Sequence, residues 1–317
     1  MTKIGYFLSC EEFGPLDLLD QARMAEEAGF EALWISDHYH PWNEEQGQSP
    51  FVWSVIGGLS QVTSLPVTTG VTCPTIRIHP AIIAQAAATS AVMLEDRFAL
   101  GVGSGENLNE HILGDRWPPT DVRLEMLEEA IEVMRLLWEG GFKDHHGKHY
   151  TVENARIYTL PEKPPKVLVS GFGPKAIRLA GRVGDGYCGV SPDAELVSLF
   201  RSSGGGDKPA QAGMKVCWGE DEDETCKTVH RLWANDLLPG ELGQELPVPA
   251  HYEQAVSLVT EEMVAEAFPC GPDPERHLEA IREYIDAGYD EVYVLQIGPE
   301  QEGFFRFYEK EILPKLR

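Results

Sequence analysis

Arg97-Phe98-Ala99-Leu100-Gly101-Val102-Gly103-Ser104-Gly105-Glu106-Asn107-Leu108-Asn109-Glu110 changes character halfway along. Its first part is short and apolar, as a buried strand is. Its second part is glycine, serine, acid and amide, the composition of a loop that leaves a strand and presents polar groups. The same unit recurs. Runs at about 3–9, 32–36, 66–72, 97–102, 166–170, 185–190, 213–218 and 290–297 read as strands. Helical patterns lie between them over Leu16–Ala28, Pro80–Leu94, Arg123–Trp138, Pro174–Val183, Pro274–Ala287 and Phe304–Leu316. Pro80 stands at a first-turn position and Gly140-Gly141 at a stop. Eight buried-looking strands alternating with helices predict an α/β chain closed as a (β/α)8 TIM barrel, one domain over residues 1–317. An open doubly wound sheet is the alternative that this count disfavours. Three insertions interrupt the repeat: a hairpin-like stretch at about 142–160, a Gly/Ser/Pro-rich mobile loop at 202–213, and an excursion over a cleft at 238–270.

Composition narrows the function. Among 317 residues, 26 basic against 51 acidic give a net charge of −25, which argues against nucleic acid or an anionic membrane as partner. A surplus of that size also suits solubility in a salty cytoplasm. No apolar stretch is long enough to span a bilayer, and Met1-Thr2-Lys3-Ile4-Gly5-Tyr6 lacks a secretory apolar core, so a cytoplasmic protein is expected. Cys10, Cys73, Cys188, Cys217, Cys226 and Cys270 are scattered and form no Cys-x-x-Cys pair, so reduced thiols are expected.

A barrel does its chemistry on the loops at the C-terminal ends of its strands. Here those loops carry Ser9-Cys10-Glu11-Glu12, Asp37-His38-Tyr39-His40-Pro41-Trp42, Cys73-Pro74-Thr75, Gly103 to Glu110, Gly171-Phe172-Gly173-Pro174 and Ser191-Pro192-Asp193. The opposite turns, such as Glu27-Ala28-Gly29-Phe30, are bland. His38-Tyr39-His40 has the form of a metal pair, but later strands offer no further ligands, so no metal is expected. Asp144, His145, His146 and His149 read as a solvated hairpin. Gly101-Val102-Gly103-Ser104-Gly105 resembles a dinucleotide loop, yet Glu106 stands where the third glycine belongs. Gly171-Phe172-Gly173-Pro174 leaves free backbone N–H groups at a helix start, a seat for phosphate. His38 with Trp42, Glu11 and Glu106 suits proton transfer, because a histidine near neutral pKa accepts a hydroxyl proton.

These segments, with Gly70-Val71-Thr72-Cys73-Pro74-Thr75, Ser170-Gly171-Phe172-Gly173-Pro174-Lys175 and Ala180 to Gly186, carry a resemblance. The chain resembles the luciferase-like superfamily and, within it, the coenzyme F420-dependent oxidoreductases, including the glucose-6-phosphate and secondary-alcohol dehydrogenases. The resemblance implies a barrel with F420 across its C-terminal mouth and hydride transfer between a hydroxyl-bearing substrate and C5 of the deazaflavin. It implies His38 as catalytic base, Trp42 as the residue that stabilises the reacting substrate, Glu106 as the acid near the ring and Glu11 as a further pocket carboxylate. Asp37 and Asn109 would contact the ring. A cis peptide at Gly70-Val71 or a bond beside it, with Thr72 and Cys73 following, would prop it from behind. Ser170, Gly171, Phe172 and Gly173, with Val190 and Ser191, would hold the cofactor phosphate. A homodimer is expected by the same likeness.

Sugar-phosphate members of that branch hold the phosphate with basic residues near the sixth loop and in the late excursion. Here Ser191-Pro192-Asp193-Ala194-Glu195 and Met263 to Phe268 hold acid and no Lys or Arg. The expected substrate is therefore an uncharged secondary alcohol or related hydroxy compound, unless Arg201 or Arg282 turns inward. The alternatives are a sugar-phosphate dehydrogenase, an FMN-dependent monooxygenase and a non-catalytic F420-binding protein. Arg77, Lys175 and Arg178 are candidates for a basic track along the cofactor's anionic tail.

Overall fold

A computed structural model describes residues 2–317. Ten strands form: β1 (Lys3–Leu8), β2 (Leu33–Ile35), β3 (Val67–Thr69), β4 (Phe98–Val102), β5 (Lys143–His146), β6 (Thr151–Ala155), β7 (Lys166–Ser170), β8 (Gly186–Gly189), β9 (Ala210–Val216) and β10 (Glu291–Gln296). Eight of them close a wholly parallel barrel in the order β1-β10-β9-β8-β7-β4-β3-β2. The long helices Pro15–Ala28, Pro80–Met93, Thr120–Trp138, Pro174–Val183 and Pro274–Asp286 lie outside it. The barrel interior is filled rather than hollow. Trp34 stacks on Tyr293 at 4.8 Å between ring centres, meets Phe7 edge-on at 5.5 Å, and donates through Nε1 to Gln211 Oε1 at 2.8 Å.

β2 and β3 are shorter than the apolar runs suggest. After Thr69 the chain leaves the ladder for two residues and rejoins it as the isolated pair Thr72–Val102. Gly70-Val71 bulges into the mouth there, and its peptide bond is cis, as the resemblance implied. Residues 143–155 form the expected hairpin, β5 antiparallel to β6. It lies in the connection between the helix Thr120–Trp138 and β7, and Tyr150 donates to the Thr75 carbonyl at 2.9 Å beyond the end of β3.

The mobile loop expected at 202–213 is corrected. Ala210–Gly213 opens β9, because buried Ala210, Gln211 and Ala212 pair with β8 on one side and β10 on the other. The glycines before them end the helix Ala194–Phe200 in a kinked turn over Arg201–Gly205, where Ser203 and Gly204 leave helical geometry. The 238–270 excursion is built of short helices, Leu242–Glu245, Pro249–Ala255 and Glu261–Ala267. It rejoins the barrel where Cys270 pairs with Cys217 beyond β9. It thus lies over the C-terminal mouth. All six thiols are free and buried.

Candidate active site

β1 and β2 end side by side, so the loops that follow them meet. His38 Nε2 lies 3.4 Å from Glu11 Oε1. The other Glu11 oxygen accepts from Ser9 at 2.9 Å and Ser36 at 2.7 Å, so the carboxylate is buried but satisfied. His38 Nδ1 sits 3.1 Å from the His40 carbonyl and 3.2 Å from Asn109 Nδ2. An Nδ1–H that donates to this carbonyl leaves the Nε2 lone pair free as a base, with Glu11 beside it to balance an imidazolium. Trp42 lies 4.8 Å from the His38 ring and packs edge-on against Tyr252 at 5.2 Å.

Asn109 fixes this loop. Its Oδ1 accepts from the Tyr39 and His40 amides at 2.9 and 3.1 Å, while its Nδ2 reaches Glu106 Oε2 at 3.4 Å. Asp37 accepts from Thr72 Oγ1 at 2.8 Å and Arg77 Nη2 at 2.9 Å. The Arg77 side chain is 6% exposed, and its Nε lies 3.5 Å from Glu110 Oε1. Burial pushes the Glu110 carboxyl up to about 7 against the opposing pull of Arg77. Asp37 thus pairs with Arg77, with Glu110 beside it, and Arg77 supplies no free cation for a tail. Arg178 points back to the Pro174 carbonyl, and Lys175 pairs with Asp121 at 2.6 Å.

The mouth divides into two contiguous cavities. One, of about 480 Å³, is lined by Glu11, Ser36, His38, Trp42, Lys215 and Trp233 among others. The second, of about 630 Å³, takes in Asp37, Cys73, Asn109, Glu110 and Gly171-Phe172-Gly173. Val71, Glu106, Ser170 and Phe172 border both. These volumes are those of small-molecule sites. A Cβ on Gly70 would come within 2.8 Å of the Trp34 ring, and one on Gly103 within 2.9 Å of Val71 Cγ2. The surface around Val71 is therefore kept smooth by glycine.

Of the residues singled out in the sequence, His38, Trp42, Glu11 and Glu106 come together. Gly70 and Val71 adjoin them, and Asp37, Cys73, Asn109, Ser170, Gly171, Phe172 and Gly173 lie on the second cavity. Thr72 stands behind Asp37, fully buried. Val190 falls on the first cavity, not beside Gly171, and Ser191 borders neither, its carbonyl accepting from Tyr289 at 3.1 Å. Arg201 is bound to Asp290 and the Gly288 carbonyl, near the start of β10, and Arg282 is exposed beside Glu275. Neither turns inward. Lys215, Trp233 and Asp236 border the first cavity and were not singled out. No group of residues suited to hold a metal ion is found among the described residues.

The fold and this mouth define a (β/α)8 barrel with the His38–Glu11 pair beside a smooth, two-chambered cleft. The chain belongs to the luciferase-like monooxygenase family, whose model matches residues 2–291. It is 36% identical to an F420-dependent glucose-6-phosphate dehydrogenase of Microbacterium testaceum (strain StLB037) over 99% of this chain and 97% of that one. A protein of the same description from Amycolatopsis mediterranei (strain U-32) is 33% identical over 100% and 99%. Among solved structures, an F420-dependent secondary alcohol dehydrogenase in complex with an F420-acetone adduct superposes with a TM-score of 0.91. It is 31% identical and covers 100% of this chain and 99% of that one.

Proposed function

We propose that the chain is an F420-dependent dehydrogenase acting on the CH–OH group of a small-molecule substrate. The observation that carries this reading is the His38–Glu11 pair set beside the smooth Val71 surface, in a barrel whose full-length relatives bear that description. The residues present fit the cofactor. Val71 and the glycines around it would accept a flat ring, and Asp37, Glu106 and Asn109 offer polar groups at its edge. Ser170, Gly171, Phe172 and Gly173, at the start of the helix Pro174–Val183, would hold a phosphate with backbone N–H groups. When bound, F420 supplies a two-electron hydride acceptor. The chain's own contribution is acid–base and positional. His38 Nε2 takes the hydroxyl proton, Glu11 balances the charge, the His40 carbonyl accepts from Nδ1–H and fixes the imidazole, Asn109 holds the loop through the Tyr39 and His40 amides, and Trp42 shapes the space over the substrate.

The names of the curated relatives support a sugar phosphate as substrate over the uncharged alcohol expected from the sequence. The cavity offers one cation for it, Lys215. A second reading, an uncharged secondary alcohol, is favoured by Glu11, Glu106, Asp236 and Glu283, which line the same cavity. His38→Ala should lower kcat at least a hundredfold, the scale of a lost general base, and leave the F420 dissociation constant within about twofold. Stopped-flow turnover and fluorescence titration check both. Unchanged kcat at the pH optimum refutes the base, and tight binding of FMN in place of F420 refutes the cofactor.

A further inference from the structure

We infer that Lys215 is the residue that selects an anionic substrate, and that Asp236 occupies it until that substrate displaces the carboxylate. The inference rests on the sugar-phosphate reading above and deepens it. Lys215 is the last residue but one of β9, at the floor of the cavity that holds His38 and Trp42. It is the only Lys or Arg among the described residues that line that cavity, against Glu11, Glu106, Asp236 and Glu283.

Its ammonium is held in place. Nζ lies 4.3 Å above the centre of the Trp233 ring, close enough for the indole face to attract the cation. The ring is itself immobile. Trp233 is 3% exposed, and its Nε1 donates to Glu12 Oε1 at 2.5 Å, while the other Glu12 oxygen accepts from the Gly298 amide at 2.8 Å. Glu12 is thus a positioning residue for the platform on which Lys215 rests.

The partner carboxylate is less constrained. Asp236 pairs with Lys215 from the single turn Ala234–Leu237, where the excursion over the mouth begins. Its side chain is 27% exposed against 18% for Lys215, and its other oxygen accepts from Asn235 Nδ2 at 3.3 Å, so a swing into water gives up two partly exposed bonds and no fully buried one. Water reaches the pair, so it is held less firmly than a dry one. A phosphate dianion brings twice the charge and three acceptor oxygens to the same ammonium, which favours exchange. The exchange also removes one of the negative charges that would otherwise repel the substrate. At positions Ser191 to Glu195 and Met263 to Phe268 no second base is present to share the load.

The consequence runs opposite to that of an ordinary contact. Neutralising Asp236 frees Lys215, so Asp236→Asn should improve an anionic substrate. The holoenzyme is assayed with glucose 6-phosphate and with 2-propanol. In parallel, inorganic phosphate is titrated into the chain without cofactor, followed by tryptophan fluorescence and calorimetry. Lys215→Met should lower the ratio of kcat/KM for glucose 6-phosphate to that for 2-propanol at least tenfold and weaken phosphate binding similarly, and Lys215→Arg should restore much of both. Asp236→Asn should raise the ratio and tighten phosphate severalfold. Glucose 6-phosphate turnover that survives Lys215→Met with the ratio unchanged, or a ratio that falls in Asp236→Asn, overturns the inference and leaves the sugar-phosphate reading standing. A wild-type chain that oxidises 2-propanol but neither turns over glucose 6-phosphate nor binds phosphate overturns that reading itself.

Discussion

Glu12 sits in an environment far from that of a solvated carboxylate. It is half-buried, and desolvation pushes its carboxyl up to about 7, although Trp233 and Gly298 donate to it. The sign of the resulting pH dependence follows. In the unfolded chain Glu12 ionises near its ordinary value of 4.5, while the folded protein keeps the proton until about 7. Between these values the native state binds more protons, so its stability is complete below 4.5 and declines as pH rises towards 7. The gap is worth about 3 kcal/mol. Glu110, also raised to about 7 by burial, adds a decline of the same sign in the same window. Glu12→Gln should therefore cut the loss of stability between pH 4.5 and 7 to about half. Urea denaturation at a series of pH values reads this directly, and a slope equal to the wild-type one would mean that Glu12 is already ionised at acid pH. The sequence put Glu12 on the rim but gave no sign of this state. Its partner Trp233 is 221 residues away, at the end of the helix Glu222–Trp233 that follows β9, and only closure of the barrel brings the two together. Lys215 escaped notice for a related reason: it lies inside an apolar strand pattern, where its direction depends on how the barrel closes. His38, Glu11, Trp42 and Glu106 were legible because each follows a strand directly, and in a parallel barrel those positions all reach one rim.

At the level of elements, the segment 238–248 crosses the boundary between the two cavities, with Gly240 and Gln244 bordering both. Tyr252 donates to its Gly243 carbonyl at 2.9 Å, and the remaining ties gather at Gln244 and Glu245. Arg123, buried on the helix Thr120–Trp138, donates to Glu245 Oε1 at 3.3 Å and Gln244 Oε1 at 3.4 Å and lies 4.2 Å above Trp117. Trp117 Nε1 and Asn107 Nδ2 reach Glu245 as well, at its side chain and its carbonyl. Glu245 is 44% exposed, so its loss should cost only about 1 kcal/mol overall. The local effect should be larger, because the segment keeps few other anchors. Glu245→Ala should lower Tm by roughly 2 °C and speed chymotryptic cleavage at Leu242 or Leu246 at least fivefold. Cleavage at the wild-type rate would place the anchor elsewhere. The strand–helix repeat was readable because buried strands and amphipathic helices differ in period. This excursion was not readable beyond its existence. Its helices are of four to seven residues, too short for a period to show, and they owe their shape to the surface they cover. The start of β9 was misread for the converse reason: small residues after a Gly/Pro run look like loop, and only pairing on both sides makes Ala210–Gly213 a strand.

For the whole molecule the governing quantity is the net charge of −25, spread over a chain expected to bind an anionic cofactor and, on the favoured reading, an anionic substrate. The ion pairs do not offset it. Many of those described join exposed side chains, and each of these consumes one of only 26 basic residues. The second cavity repeats the imbalance locally: Asp37, Glu106, Glu110, Asp121 and Glu241 line it, and Lys175, the one lining Lys or Arg among the described residues, is bound to Asp121. Self-repulsion of this size lowers the stability of the compact state and is screened by salt. Raising NaCl from about 0.02 M to about 1 M shortens the Debye length from roughly 20 Å to about 3 Å, and Tm should rise by several degrees. The dependence of F420 affinity on salt then discriminates between two ways of holding the cofactor. A basic track would make binding weaker as salt rises, as for any pairing of opposite charges. Backbone N–H groups at Gly171-Phe172-Gly173 carry no net charge, so binding through them within a negative field should tighten or stay level over the same range. Fluorescence titration of F420 at each salt concentration decides the matter. An affinity that falls tenfold or more would require a cluster of unpaired Lys or Arg at the cavity, and the positions of Arg77, Lys175 and Arg178 argue against one.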